Sequence, residues 1–146
     1  MSVEKPDYHD ADLVLRVYEM RREAKSREAR DLLNFGFWPK SYDDVKAVQQ
    51  ADNPMNFAWR QLSAYWEMVF SMGRNGIVNA DYLIENNGEG LFFFAKIAPY
   101  LEDIRRDGSA NAFKNVEWAT TASETGRNTF AYIQEVVKKR TESYQR

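Results

Sequence analysis

The chain has 146 residues, with 20 Lys and Arg against 22 Asp and Glu, a net charge of −2, one His and no Cys. That inventory excludes a disulfide framework, a thiolate nucleophile and a Cys/His zinc site, and no Ser-His-Asp triad is read around His9, which lies in a polar N-terminal stretch. The near-neutral charge balance argues against bulk electrostatic binding to nucleic acid or to an anionic membrane.

Apolar spacing is helical along nearly the whole chain, and no β-branched stretch alternates with period two. The residues from Met1 to Asp10 are polar, so no signal peptide is read there. The first expected helix runs from Asp10 to Asn34. Leu13, Val14, Val17, Tyr18 and Met20 form an apolar stripe in its first half. Its second half is charged, with Glu23→Arg27 and Arg27→Asp31 at favourable helical spacing. Such a helix would be on the order of 36 Å long, and its polar half is expected to project or to lie in water. Gly36 and Pro39 end it. Ser41 with Asp44 then opens a short helix containing Val45 and Val48.

Asn53-Pro54 reads as an N-cap followed by a first-turn proline. The helix from Pro54 to about Gly73 is apolar over most of its circumference, which marks it as central. Asn79 caps a short helix holding Tyr82, Leu83 and Ile84, closed by Asn87-Gly88. Leu91 to Ile104 is a second core helix, with a kink or break expected at Pro99. Asn111 is read as the cap of the next segment. Ser123-Glu124 either restarts that helix or lies within it. The last helix reaches about Tyr144, with Phe130, Ile133, Val137 and Tyr144 on one side.

The expected fold is a single all-α domain over residues 1–146, with residues 1–10 a flexible tail. It is a compact bundle of about five to seven helices, the long first and last ones flanking the two aromatic-rich core helices. The strings Phe37-Trp38-Pro39-Lys40-Ser41-Tyr42-Asp43-Asp44, Ala64-Tyr65-Trp66-Glu67 and Pro99-Tyr100-Leu101-Glu102-Asp103-Ile104-Arg105 resemble an uncharacterised bacterial all-helical family of unknown function. The likeness spans about Met20 to Ala122. It implies a helical fold and no catalytic residues, because that family has no assigned reaction. Some relatives place a transmembrane segment before the helical domain. The longest apolar run here, from Leu91 to Ala95, falls far short of the roughly 20 residues a span needs, so no membrane insertion is expected. A soluble, cytoplasmic protein is the expectation.

Arg60, Glu67 and Arg74 stack two turns apart on the central helix. They read either as a charged groove, with the arginines as anion anchors, or as a structural ion pair, with Arg105 as the partner of Glu67. Trp59 and Trp66 lie beside them. Arg21, Arg22, Lys25 and Arg27 are interleaved with acids, which suits a solvated helix or a protein interface better than phosphate binding. Phe92 and Phe93 cannot both face inward with Phe94, so at least one is expected at a periphery or an interface. The Glu-x-x-His pairs of di-iron bundles are absent, as are a phosphate-binding glycine loop and a nucleophile elbow. No cofactor, no nucleic acid and no catalytic constellation are therefore expected. The function expected is a non-enzymatic interaction or scaffold module, self-associating or bound to another protein. The alternative is a small, partly apolar anion held between the two core helices near Trp59, Trp66, Glu67 and Arg105.

Overall fold

The computed structural model describes residues 4–145. Its elements are α1 (Tyr8–Arg21), α2 (Ala24–Gly36), α3 (Tyr42–Val48), α4 (Asn56–Arg74), α5 (Ala80–Asn86), α6 (Gly88–Ile97), a 3-10 turn (Ala98–Tyr100), α7 (Leu101–Asp107), α8 (Lys114–Thr121) and α9 (Glu124–Ser143). No strand occurs among the described residues. The bundle has more helices than expected because two long helices divide.

The first division falls at Arg22-Glu23, inside the expected Asp10–Asn34 helix. The Glu23 carboxylate accepts the backbone N–H groups of Lys25 and Ser26 and so starts α2 afresh, satisfying donors that a helix start leaves open. The charged half therefore does not project. Ala29 and Leu33 are fully buried, and α2 packs along α4. The break crosses neither charge pair read from the sequence, since Glu23, Arg27 and Asp31 all lie at or after the start of α2, and it lets the apolar edge of α2 be buried.

The second division is at Pro99, where α6 gives way to the 3-10 turn and then α7. Proline cannot donate the next helical hydrogen bond. Local caps act at Ser41 and Asn79, where the sequence places them, and at Ser123, where a restart and a continuing helix were both open. Ser41 Oγ accepts the N–H of Asp44, Asn79 Oδ1 that of Tyr82 and Ser123 Oγ that of Gly126. Asn53 instead caps a turn, accepting the N–H of Met55, and α4 begins at Asn56. The expected tail is divided as well: residues 1–3 lie outside the described residues, whereas Tyr8 to Asp10 are helical behind an Asp7 capping box.

At the centre, α4 lies against α2, α5 and α8, while α6 lies against α8 and α9. Thus α2 and α9 flank the core pair, and α1 sits at the edge, against α5 and α2. The two core helices meet at Gly90, whose backbone lies against the rings of Trp66 and Phe70. Phe113 joins them from the loop before α8. It holds φ +59°, a left-handed conformation costly for an aromatic residue. Its ring packs edge-on or tilted against Trp59, Phe93 and Phe94, and that packing holds the backbone there.

Candidate functional site

The polar stripe on α4 is a set of separate contacts. Glu67 accepts the N–H of Asn115 at 3.0 Å and that of Val116 at 2.8 Å. These are second- and third-position amides of α8, so Glu67 is the cap of that helix. Its charge also faces the positive end of the helix dipole. Asn111 does not cap α8. Arg105 is not the partner of Glu67: its guanidinium meets Glu117 at 3.1 Å, and its Nε donates to the carbonyl of Ala112. Arg74 reaches Asn115 Oδ1 at 3.2 Å, and Arg60 is exposed. Trp59 and Trp66 are buried. Side chains fill the space between the core helices beside Trp66, where a Cβ on Gly90 would approach ring atoms to 2.6–2.8 Å.

A second polar cluster, with Glu89 at its centre, joins α1, α2 and α6. Arg30 Nε donates to both Glu89 oxygens at 2.9 Å. Asn34 donates at 2.6 Å, and the Arg21 guanidinium lies 3.9 Å away. Arg21 also donates to Asn87 Oδ1 at 3.3 Å and lies over the rings of Tyr18 and Trp66. Arg30 reaches the carbonyl of Arg21 at the end of α1. Tyr65 donates to the carbonyl of Val17 at 2.6 Å, and burial pushes its phenol up to about 12. These groups fix the α1–α2 corner to the bundle. Of the expected interface cations, Arg21 is thus used internally, Arg22 lies over Tyr18, Lys25 pairs with Glu28, and Arg27 is exposed. The sequence held no local sign of Glu89 as their partner, because it lies 59 residues from Arg30.

Lys96 is a third feature that residue spacing did not single out. It is 3% exposed. Its Nζ donates to the carbonyls of Leu33 and Asn34 in the last turn of α2 and sits 3.8 Å from the Trp38 ring centroid and 4.8 Å from that of Phe92. A cation there suits the negative end of a helix and two aromatic faces. Phe93 is buried, while Phe92 is half-buried under Trp38 and Arg140.

The remaining feature is the outer face of α1. Val14 and Val17 point into the core. Tyr8, Leu15 and Tyr18 are 88%, 59% and 44% exposed. With Ala11 they recur at intervals of three and four residues, the spacing of a helix seam. Tyr18 and Met20, read from the sequence as part of the inward stripe, are on the solvent side. Among the described residues no group of three or more His, Cys, Asp or Glu is placed to hold a metal, and no helix is long and apolar enough to cross a membrane.

The protein is an all-α bundle built on an aromatic core, with partly buried polar contacts serving as a helix cap and corner pins. It belongs to the family described as a domain of unknown function, DUF4760, which matches residues 7–123. No curated protein and no solved structure matches the chain.

Proposed function

We propose that the protein is a non-enzymatic interaction module that pairs with a second copy of itself through the outer face of α1. The observation that carries this reading is the stripe of Tyr8, Leu15 and Tyr18, large apolar side chains in a seam on a helix whose opposite face is already buried. Contiguous exposed apolar patches of this kind mark protein contacts.

The self-complementary spacing of the stripe selects the occupant. Exposed charges of both signs border the stripe, Glu4, Lys5 and Asp7 toward one end and Glu19 and Arg22 toward the other, while Asp12 and Arg16 pair within α1 at 3.4 Å. A two-fold axis crossing α1 sets two copies antiparallel, so that the small Ala11 meets a Leu15 and Tyr8 meets a Tyr18. An isologous contact needs this self-complementarity. The Glu89 cluster holds α1 rigidly enough to present the face, which limits the ordering cost of association.

Light scattering on the full chain across a wide concentration range tests the reading. Twice the chain mass is expected at high concentration, and the monomer mass for Leu15→Glu with Tyr18→Glu. Removing residues 1–34 is not a usable test, because it strips Val14, Val17, Ala29 and Leu33 from the core. A wild-type chain that stays monomeric at the highest concentration, or a double variant that still dimerises, overturns the proposal.

A further inference from the structure

Three places in the chain set Asn or Asp directly before Gly: Asn75-Gly76, Asn87-Gly88 and Asp107-Gly108. Such pairs share a chemistry. The glycine backbone nitrogen, once it loses its proton to hydroxide, attacks the side-chain carbonyl carbon of the residue before it. A five-membered succinimide ring closes. Asn expels ammonia, which takes a proton from water; Asp must first be protonated and expels water. A water molecule then opens the ring at either carbonyl, giving aspartate or isoaspartate. Glycine permits the attack because no side chain shields its nitrogen and its backbone turns freely. By sequence the two Asn-Gly pairs are equivalent, but the fold separates them.

Asn75 is exposed at the end of α4, with φ −89° and ψ 8°. Gly76 holds φ +73°, and nothing lies within 4 Å of the place a Cβ would take. Ring closure requires Asn75 to rotate about ψ until the Gly76 nitrogen reaches its Cγ. The nearest hydrogen bonds opposing that rotation run from Gly76 N–H to the Gly73 carbonyl at 3.2 Å and from the Asn75 amide to the Ser71 carbonyl at 2.7 Å. Both belong to an exposed last turn, where local opening costs least. Asn87 is 1% exposed. Its side chain donates to the Leu83 carbonyl at 2.9 Å and accepts from Arg21 at 3.3 Å, and its own carbonyl accepts the Gly90 N–H at 3.0 Å. The same rotation there would pull the α5–α6 corner out of the bundle. Asp107 is exposed, but hydrogen bonds from Arg106 and then Tyr42 hold its carboxyl below the usual carboxylate range. An ionised carboxylate expels no leaving group, so this pair is slow as well.

We propose that Asn75 is the site at which the folded chain deamidates through a succinimide, and that the isoaspartyl product loosens the turn holding the start of α1. The turn is shared. Ile77 and Val78 both donate to the Met72 carbonyl, which reverses the chain after α4. Asn79, directly beyond, donates its N–H to Asp10 Oδ1 at 2.8 Å and its side-chain amide to the Glu4 carbonyl at 2.7 Å. An isoaspartyl link adds one carbon to the main chain at position 75. The amide donor to Ser71 is lost, and a carboxylate stands at the negative end of α4. The turn must then reset, and Asn79 moves with it. The reaction needs no second copy, so it stands apart from the self-pairing proposal.

The full-length chain, aged at mildly alkaline pH and then digested, tests this through the mass gain at each Asn-Gly peptide and through methylation by an isoaspartyl methyltransferase. In the folded chain the Asn75 peptide is expected to convert at least tenfold faster than the Asn87 peptide. In concentrated urea the two should convert within about threefold of each other, because only the local sequence then acts. Asn75→Gln, which keeps an amide but would have to close a six-membered ring, is expected to remove the folded-state conversion. Amide exchange at Asn79 should be at least tenfold faster in the aged wild-type chain than in the fresh one, with α6 and α8 unchanged. Equal conversion at Asn75 and Asn87 in the folded chain, or none at Asn75, overturns the site. A preference for Asn75 just as large in urea overturns the part given to the fold. An aged chain whose Asn79 amide exchanges as slowly as before overturns the link to α1.

Discussion

The carboxylate of Glu67 accepts the backbone N–H of Val116 at 2.8 Å, so the first turn of α8 is closed by a side chain 49 residues upstream. A helix start normally finds its acceptor in its own N-cap residue. Phe113 occupies that position and offers none.

This cap predicts a specific cost. Glu67→Ala is expected to lower stability by about 1–2 kcal/mol, the range for a lost helix cap. Glu67→Gln, which keeps one acceptor oxygen, should cost less. Arg105→Ala breaks the partly exposed pair with Glu117 and one hydrogen bond to the Ala112 carbonyl, and should cost about 1 kcal/mol. Urea denaturation gives the three values, and amide hydrogen exchange should show the Glu67→Ala loss concentrated in α8. An Arg105 effect larger than that of Glu67→Ala contradicts the assignment.

The Glu89 cluster predicts coupling between distant positions. Arg30 and Glu89 share two hydrogen bonds at 2.9 Å, with side chains 27% and 19% exposed. A double-mutant cycle with Arg30→Met and Glu89→Gln is expected to give an interaction energy of about 1–2 kcal/mol, after allowance for partial screening. Coupling near zero would mean that the α1–α2 corner is held by its apolar contacts alone.

Close packing at Gly90 predicts intolerance of a single methyl group. A Cβ there would lie 2.6 Å from a Phe70 ring atom and 2.7 Å from one of Trp66. Gly90→Ala should destabilise by about 1–3 kcal/mol through overpacking, despite the better helix propensity of alanine. It should also change the near-ultraviolet circular dichroism of the buried Trp66. A variant as stable as wild type shows that α4 and α6 can move apart.

Lys96 predicts a pH dependence. Burial pushes its amine down from 10.5 to about 7, and Arg140 adds repulsion. The folded-state value lies below the unfolded one, so the unfolded chain holds the extra proton between about pH 7 and 10.5. Stability therefore rises with pH through that window, and the cost of burying the ammonium is fully present below it. Tyr65 acts the other way. Its phenol is raised from 10.0 to about 12, so the unfolded chain ionises first and stability falls above pH 10. Urea midpoints should climb and then decline, and Lys96→Met should flatten the climb. A wild-type midpoint that stays level from pH 7 to 10 rules this out.

The sequence by itself determined the all-helical class, the central positions of the two aromatic segments, an interruption at Pro99 and the caps at Ser41 and Asn79, and it left open whether Ser123 restarts a helix. Each of these follows from forces acting within a few residues: missing donors, side-chain caps and the period at which apolar groups recur. Tertiary structure decided the rest. Glu23 starts a new helix inside a run whose spacing reads as one helix, because the turn lets Ala29 and Leu33 reach α4. Glu67 caps α8 instead of meeting Arg105, Arg30 meets Glu89, and Lys96 lies beneath Trp38. A charge has no partner preference along the chain; it pairs with whatever donor or acceptor the packed helices bring within reach. The outward placement of Tyr18 and Leu15 on α1 was decided in the same way, by which side of the helix the bundle left uncovered.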